Sequence, residues 1–447
     1  MPECIARFSG NNLNEPLIIQ SLVTLLTDAS EKHLLVISSP REIQDLLTQG
    51  IEPLRLPSGD PELLIARVKA EIEKIEQAYE LPASAPLNEA INKLDILLKG
   101  IHFTGDFSPA LQDQVISFAE KIATLLLSAI LQKNQLENQV VFPEELGLLV
   151  SDEFGNASIY MDESAPNIKA HQLGLITLIP GSVGLTRKGK IARVGHRAAD
   201  YTAAALAAIF NSDRLELWQI RTPFKTADVK FVHNADYIES LTYAEASELS
   251  YFNYSGIHPR IVEPLINEHI PILVYDLADG QKILRTRINS KSIVSPHIVK
   301  SVAYTDDIAI LKLNGPGVGF KPGILAKLTG AFNKNHINIR SVITAQTSIN
   351  ILIDKTAVET VKQLTEELKL PSVNQFEIDE KVSLIAIVGH GMQAHHGISA
   401  QLFSAVANNK INVLLSGSGA SDLVSYLVIN ENDKLKAIKE IHKTFFN

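Results

Sequence analysis

The chain has 447 residues, 41 basic and 50 acidic side chains, a net charge of −9 and 45% hydrophobic residues. That is the make-up of a folded protein of two to four domains at ~100–200 residues each. The acidic balance argues against nucleic acid, because phosphate neutralisation needs a basic face, and the single cysteine, Cys4, fits a reducing, cytoplasmic setting without an internal disulfide. Met1-Pro2-Glu3-Cys4-Ile5 lacks the basic-then-apolar pattern of a signal peptide. The apolar run Ile122 to Leu131 is too short to span a bilayer, so no membrane partner is expected.

In chain order, Cys4 to Phe8 and Leu34 to Ser38 read as buried strands flanking a helix that carries Ile18, Leu22, Leu25 and Leu26. Pro61 to Tyr79 has helical spacing, as do Ser84 to Leu98 and Ser108 to Leu131, the last opening on a helix-starting Ser108-Pro109. Gly147 to Val150 and Leu175 to Ile179 are strand candidates, and Pro180-Gly181 ends the second. Tyr201 to Phe210 is an alanine-rich helix, Leu215 to Ile220 a strand, Tyr243 to Ser250 a helix and Ile270 to Tyr275 a strand. Alternating short strands and longer helices predict an α/β sheet with crossover helices.

The C-terminal third repeats itself. A strand at Ile308 to Leu313, a Gly-rich turn, a helix near Gly323 and a strand at Ile337-Asn338-Ile339 lead to a strand at Ile349 to Ile353 and a helix from Lys355. From Val382 the series recurs at an offset of 74 residues, with shared identities at Gly323/Gly397, Asn335/Asn409, Ile337/Ile411 and Asn338/Asn412. Two tandem ferredoxin-like (βαββαβ) units follow from this.

Several segments carry a family resemblance. Leu241-Thr242-Tyr243-Ala244-Glu245-Ala246-Ser247-Glu248-Leu249, followed by Ile257-His258-Pro259, resembles the aspartokinase family. So do Leu97-Leu98-Lys99-Gly100-Ile101 with Ser117-Phe118-Ala119-Glu120-Lys121, and the stretch from Gly195 to Ala204. The tandem units look like that family's paired ACT regulatory modules. The resemblance implies an amino-acid-kinase α/β/α sandwich over residues 1–290 and ACT units over 300–375 and 376–447. It implies phosphoryl transfer from ATP to the side-chain carboxylate of L-aspartate, which needs cations, Mg²⁺ and backbone N–H groups around the phosphates.

Taken one position at a time, the resemblance weakens at the ATP site. The family's K-F-G-G-T/S opening is Arg7-Phe8-Ser9-Gly10-Asn11, which keeps a charge at Arg7 but places a Cβ at Ser9 where the phosphate loop is thin. Its L-G-R-G-G-S-D stretch is Val194-Gly195-His196-Arg197-Ala198-Ala199-Asp200, so that only Gly195 and Asp200 hold their places. The nucleotide segment after the last core strand has lost both acidic residues, with Pro223 for its glycine and Lys225 for its tyrosine, and the F-G-A-K lysine is Ser255. Removal of one charged phosphate contact costs ~10²–10³ in rate by analogy with a lost oxyanion donor. The resemblance therefore implies a decayed ATP site: Arg7 and Asp200 as remaining catalytic positions, Gly10, Gly195 and Lys225 on the cofactor side, and Glu120 meeting the substrate amino group. ATP and Mg²⁺ are cofactors only if the activity survives.

Simpler readings stand beside these. Glu120 fits an exposed ion pair and Asp200 a helix N-cap; His196 and Arg197 fit either a new anion site or a solvated loop. His390, His395 and His396 lack the spacing of a helix-borne zinc site, no metal site is read from the sequence, and Cys4 and Trp218 read as core. The resemblance places an amino-acid effector at Asn314, Gly319, Phe320, Arg340 and Gln346, with Arg340 set to repel a lysine ammonium. The expected protein is a catalytically weak or inactive, amino-acid-responsive aspartokinase homologue, dimeric through its ACT units. The alternatives are an active aspartate kinase and a regulatory subunit of an active paralogue.

Overall fold

The computed structural model describes residues 2, 4–170, 172–196, 198–218, 224–252, 257–290, 298–319, 321–370, 372–419 and 421–446. The chain folds as two compact units. One comprises Met1–Pro223, Tyr237–Ser250 and Gly256–Ile293, the other Phe224–Asp236, Tyr251–Ser255 and Val294–Asn447. The expected kinase-like domain over 1–290 thus gives up two segments. Of these, 224–236 joins the C-terminal unit because Ala227 bridges Val302 and because Ala227, Val232 and Ala235 bury against Ile385, Ile387 and Leu427.

The strands of the N-terminal unit are β1 (Cys4–Phe8), β2 (His33–Ile37), β3 (Gln139–Val140), β4 (Leu149–Val150), β5 (Ile176–Pro180), β6 (Val183–Thr186), β7 (Ile191–Arg193), β8 (Leu215–Trp218), β9 (Ser240–Thr242), β10 (Ile272–Ala278) and β11 (Gln281–Asn289). Eight of them form one sheet in the order β3-β5-β2-β1-β8-β10-β11-β9, and β4, β6 and β7 form a second, smaller sheet. All neighbours in the large sheet are parallel except the β10–β11 hairpin. β1, β2 and β5 are buried at every residue, as continuous apolar strands covered on both faces should be.

Alternation along β1 sends Cys4, Ala6 and Phe8 into a core shared with helices Pro61–Ala78, Ala85–Thr104 and Pro109–Lys133. Ile5 and Arg7 take the opposite face. Pro109–Lys133 runs for 25 residues, longer than its apolar run, and is long and apolar enough by composition to cross a bilayer; 78% of its apolar window is buried inside the unit, as in a central core helix. The helix Ala199–Ile209 is buried at every residue, its alanines allowing close approach to β1, β2 and β8.

The C-terminal unit contains β12 (Ser301–Thr305), β13 (Ile308–Asn314), β14 (Ile339–Ala345), β15 (Ser348–Asp354), β16 (Gln375–Asp379), β17 (Val382–Val388), β18 (Val413–Ser418) and β19 (Val424–Asn430). They make two four-stranded sheets, β14-β15-β13-β16 and β12-β17-β19-β18. A boundary between 375 and 376 therefore does not follow the sheets. β16 pairs with β13, and β12, which precedes the first repeat, pairs with β17 of the second.

The repeated residues do repeated work. Gly323 and Gly397 stand just before their helices at φ 92° and 86°. The Asn335 and Asn409 amides donate to carbonyls four residues back, at 2.9 and 3.0 Å, and close both helices. The strands that follow begin at Ile339 and Val413, two residues later than the Ile-Asn-Ile and Ile-Asn-Val triplets suggest, because His336 and Lys410 first turn the chain at φ 54° and 58°.

Candidate functional site

The carboxyl ends of the parallel strands gather the site of the N-terminal unit, as open α/β sheets do. Arg7 leaves β1 on the face of helix Ala199–Ile209, and its Nε lies 2.8 Å from Asp200 Oδ1, the two side chains 9% and 1% exposed. Neither atom makes a directed hydrogen bond, so the contact is an ion pair without ideal alignment. The other Asp200 oxygen accepts the backbone N–H of His258 at 2.9 Å. The N-cap of this helix is Ala198 and no side chain caps it. Asp200 is therefore not the N-cap that its position suggested; it lies in the first turn, where the helix dipole favours a carboxylate.

The two glycines of the loops fit too closely to change. A Cβ on Gly10 would stand 2.1 Å from the Ser38 carbonyl oxygen, and the Gly10 N–H donates to Ser38 Oγ at 3.3 Å. Gly195 has φ 135°, and a Cβ there would stand 3.0 Å from His258 Nε2. His258 stacks on Tyr201 at 6.3 Å, and burial lowers its pKa against the pull of Asp200. Arg260 lies over the same tyrosine at 4.3 Å and donates to its hydroxyl at 3.1 Å. His196 is exposed, with Gln44 Nε2 3.4 Å from its Nδ1. Arg197, Pro223 and Ser255 lie outside the described residues.

Glu120 is 6% exposed and, among the described residues, in no ion pair, so it is not the exposed partner that its helix could have made it. Its carboxyl is pushed up to about 8 by burial, against the opposing influence of the Ser182 hydroxyl and the Arg193 and Arg7 cations. Glu120 Oε2 and Ser182 Oγ are buried without a well-formed hydrogen bond. The Arg193 N–H is held by Asp113 at 2.8 Å at the end of β7, which sets the backbone from which its guanidinium projects. A buried carboxyl with an open lone pair, within the electrostatic reach of the Arg193 cation, suits the ammonium of a zwitterion.

Magnesium fits poorly. Of the two carboxylates in the cluster, Asp200 is in the ion pair with Arg7, and burial keeps Glu120 protonated at neutral pH, so the described residues offer no protein-held Mg²⁺ site. Lys225, expected beside the nucleotide, belongs to the C-terminal unit, where its carbonyl accepts from Ser301 Oγ at 2.8 Å.

The expected effector residues divide. Asn314 ends β13 opposite Ser348, and the Gly319 N–H donates to the Gln346 carbonyl at 3.2 Å, so these three share one end of the first ACT sheet. Arg340 sits at the far end of β14, about 16 Å away at ~3.3 Å per residue, paired with Asp354 and stacked on Tyr251 at 4.9 Å. Its charge is already balanced, so it is not the lysine-repelling group of that corner. Phe320 lies outside the described residues. Sequence reasoning missed Arg193, Ser182 and Arg260; an arginine just before the Gly195 turn, and a serine after the Pro180-Gly181 strand end, were the available signals.

Residues 4–276 match the amino acid kinase family, and residues 303–364 and 385–445 each match an ACT domain. The bifunctional aspartokinase/homoserine dehydrogenase of Buchnera aphidicola is 24% identical over 460 residues, which cover 99% of this chain and 56% of that protein. Lysine-sensitive aspartokinase 3 of Escherichia coli is 24% identical over 459 residues, 99% of each chain. The chain spans about half the length of the bifunctional relatives that it matches. A crystal structure of E. coli aspartokinase III in complex with aspartate and ADP superimposes with a TM-score of 0.81 at 22% identity, over 99% of both chains. The aspartate kinase of Clostridium acetobutylicum has a TM-score of 0.74 at 19% identity, over 98% of this chain and 99% of that one. With more than half its length in the kinase match and two ACT domains behind it, the chain belongs to the amino acid kinase family and has the domain plan of an aspartokinase.

Proposed function

We propose that this protein is an aspartokinase homologue that binds a small acidic amino acid in its N-terminal unit, transfers phosphoryl groups weakly or not at all, and acts in the regulation of amino-acid biosynthesis. One asymmetry carries the reading. Groups that would face phosphates are already engaged with one another, Arg7 with Asp200, the Gly10 N–H with Ser38 and the Asp200 carboxylate with the His258 N–H. The group that would face an α-ammonium, Glu120, has a buried oxygen without a partner. L-Aspartate, which E. coli aspartokinase III holds in its crystal structure, has an ammonium that Glu120 complements and carboxylates for the Arg193 cation near it.

The ACT units serve in this reading as a second amino-acid site and as the dimer contact. Isothermal titration decides the first part: L-aspartate binds without nucleotide, Glu120→Ala abolishes the heat, and Mg-ATP and Mg-ADP give none. Robust aspartate-dependent ADP release that Glu120→Ala removes would overturn the proposal. It would favour the second reading, an active kinase, for which the retained Arg7 and Asp200 speak. Recovery of a second kinase chain at equal stoichiometry would instead identify a regulatory subunit.

A further inference from the structure

The other face of the central sheet carries a second cluster, independent of the kinase reading. Cys4 opens β1 and His33 opens β2, and the parallel register sets them directly opposite each other. They are 0% and 3% exposed. Glu31 approaches from the loop before β2, its side chain 34% exposed, and forms the rim. One donor atom from each of the three residues lies within 4.8 Å of the other two. Cys4 is a free thiol, in no disulfide.

Two details separate this cluster from a chance grouping. His33 Nδ1 is 2.9 Å from the backbone carbonyl of Glu31. That contact fixes the ring proton on Nδ1 and leaves the Nε2 lone pair for a metal, the orientation that metal-binding histidines share. His33 Nε2 then stands 3.5 Å from Glu31 Oε1. Bonds of about 2.0–2.2 Å at a tetrahedral angle place nitrogen and oxygen ligands ~3.4 Å apart, so this edge already has the required length. The sulfur needs to close by ~1.2 Å at most from the 4.8 Å limit, to an edge of ~3.6 Å.

The nearest cations do not compete for the site. Lys282 and Arg214 are both bound to the buried Glu216, at 2.8 and 2.7 Å.

We infer that Cys4, Glu31 and His33 bind one zinc-class divalent cation as a three-residue N/S/O site with an open fourth position, clasping β1 to β2. Binding replaces the thiol proton, which leaves to solvent, by a metal–sulfur bond.

The protein carries its own reporter. Trp218, the only tryptophan, has its ring 5.8 Å from that of His33. Full-length protein stripped with chelator is titrated with Co²⁺, followed by Trp218 fluorescence and by the thiolate-to-cobalt absorption, and then back-titrated with Zn²⁺. The expected result is one cobalt per chain, quenched Trp218, a thiolate band, displacement by one equivalent of zinc, and a melting temperature raised by about 5 °C at 100-fold saturation.

Glu31→Gln, on the exposed rim, weakens binding at least tenfold, and Cys4→Ser removes the thiolate band. Binding without a thiolate band, or with an affinity that Glu31→Gln leaves unchanged, would place the metal elsewhere, for example on His395 and His396, and overturn the inference. Should Cys4→Ser fail to fold, the Glu31→Gln titration still decides.

Discussion

Substitution of Glu120 by glutamine makes the electrostatics of the site measurable. The carboxyl titrates at about 8 in the folded unit against an ordinary 4.5, because burial penalises its charge. Between those two values the folded protein keeps a proton that the unfolded chain has released. The contribution of Glu120 to the stability of the N-terminal unit is therefore fully present below pH 4.5 and is lost as pH rises toward 8. At about 1.4 kcal/mol for each tenfold change, the loss is roughly 3 kcal/mol at pH 7 and roughly 4 kcal/mol at pH 8. Glutamine keeps the shape and has no proton to lose. The two proteins should be equally stable near pH 4.5, with Glu120→Gln ahead by about 3 kcal/mol at pH 7 and about 4 kcal/mol at pH 8. Urea unfolding followed through Trp218, which lies in the same unit, reads this directly. A gap independent of pH, or a glutamine variant less stable at pH 8, refutes the reasoning. The same residue predicts that L-aspartate uptake releases a proton near pH 7, because a bound ammonium favours the carboxylate; titration heats in buffers of different ionisation enthalpy measure it.

Further outcomes follow from the geometry. Gly10→Ala, with its methyl carbon 2.1 Å from a backbone oxygen, should abolish soluble folded protein, and Gly195→Ala should cost about 1–3 kcal/mol and weaken amino-acid binding through His258. Lys282→Met strips one cation from the buried Glu216, for an expected loss of about 3 kcal/mol in urea at pH 7. Burial pushes Glu216 up, but Lys282, Arg214 and Trp218 reverse this and hold it below the ordinary carboxylate range. Its contribution is thus present at neutral pH and lost as pH falls through the folded value, so the Lys282→Met deficit should shrink in acid. Tyr426→Phe removes a 2.7 Å bond to Ser341 that joins the two ACT sheets, and should lower the stability of the C-terminal unit by about 1 kcal/mol in thermal melts.

Much of the fold was legible because burial leaves a pattern. β1, β2 and β5 are mostly apolar, Pro61–Ala78 has helical spacing behind an Asp60 cap, and the 74-residue repeat announces itself in Gly323/Gly397 and Asn335/Asn409. β11 was not legible, since Gln281–Asn289 mixes Lys282, Arg285 and Arg287 with Ile283, Leu284 and Ile288 without a clean alternation, and its pairing with β10 shifts register. β12 and β16 are short, and their pairing across the repeats is a long-range choice that local periodicity does not encode. In the site, Arg7, Asp200 and Glu120 were found by motif position. Their states were not, because the Arg7–Asp200 ion pair and the proton on Glu120 depend on neighbours such as His258, Ser182 and Arg193, far away in sequence.

The pairing of β12 with β17 makes one ACT module a parenthesis inside the other: the chain begins the outer sheet at Ser301, writes the whole inner module, and returns to complete the outer one only from Val382. During synthesis the inner module can therefore close while the outer strand still waits for a partner some eighty residues downstream. A chain cut at Glu380 would keep every strand of the inner sheet yet leave β12 without its strand partner, held only by the Ala227 bridge. Damage at the C-terminus should accordingly appear first as an exposed edge near residue 301, far upstream in sequence from the lesion itself.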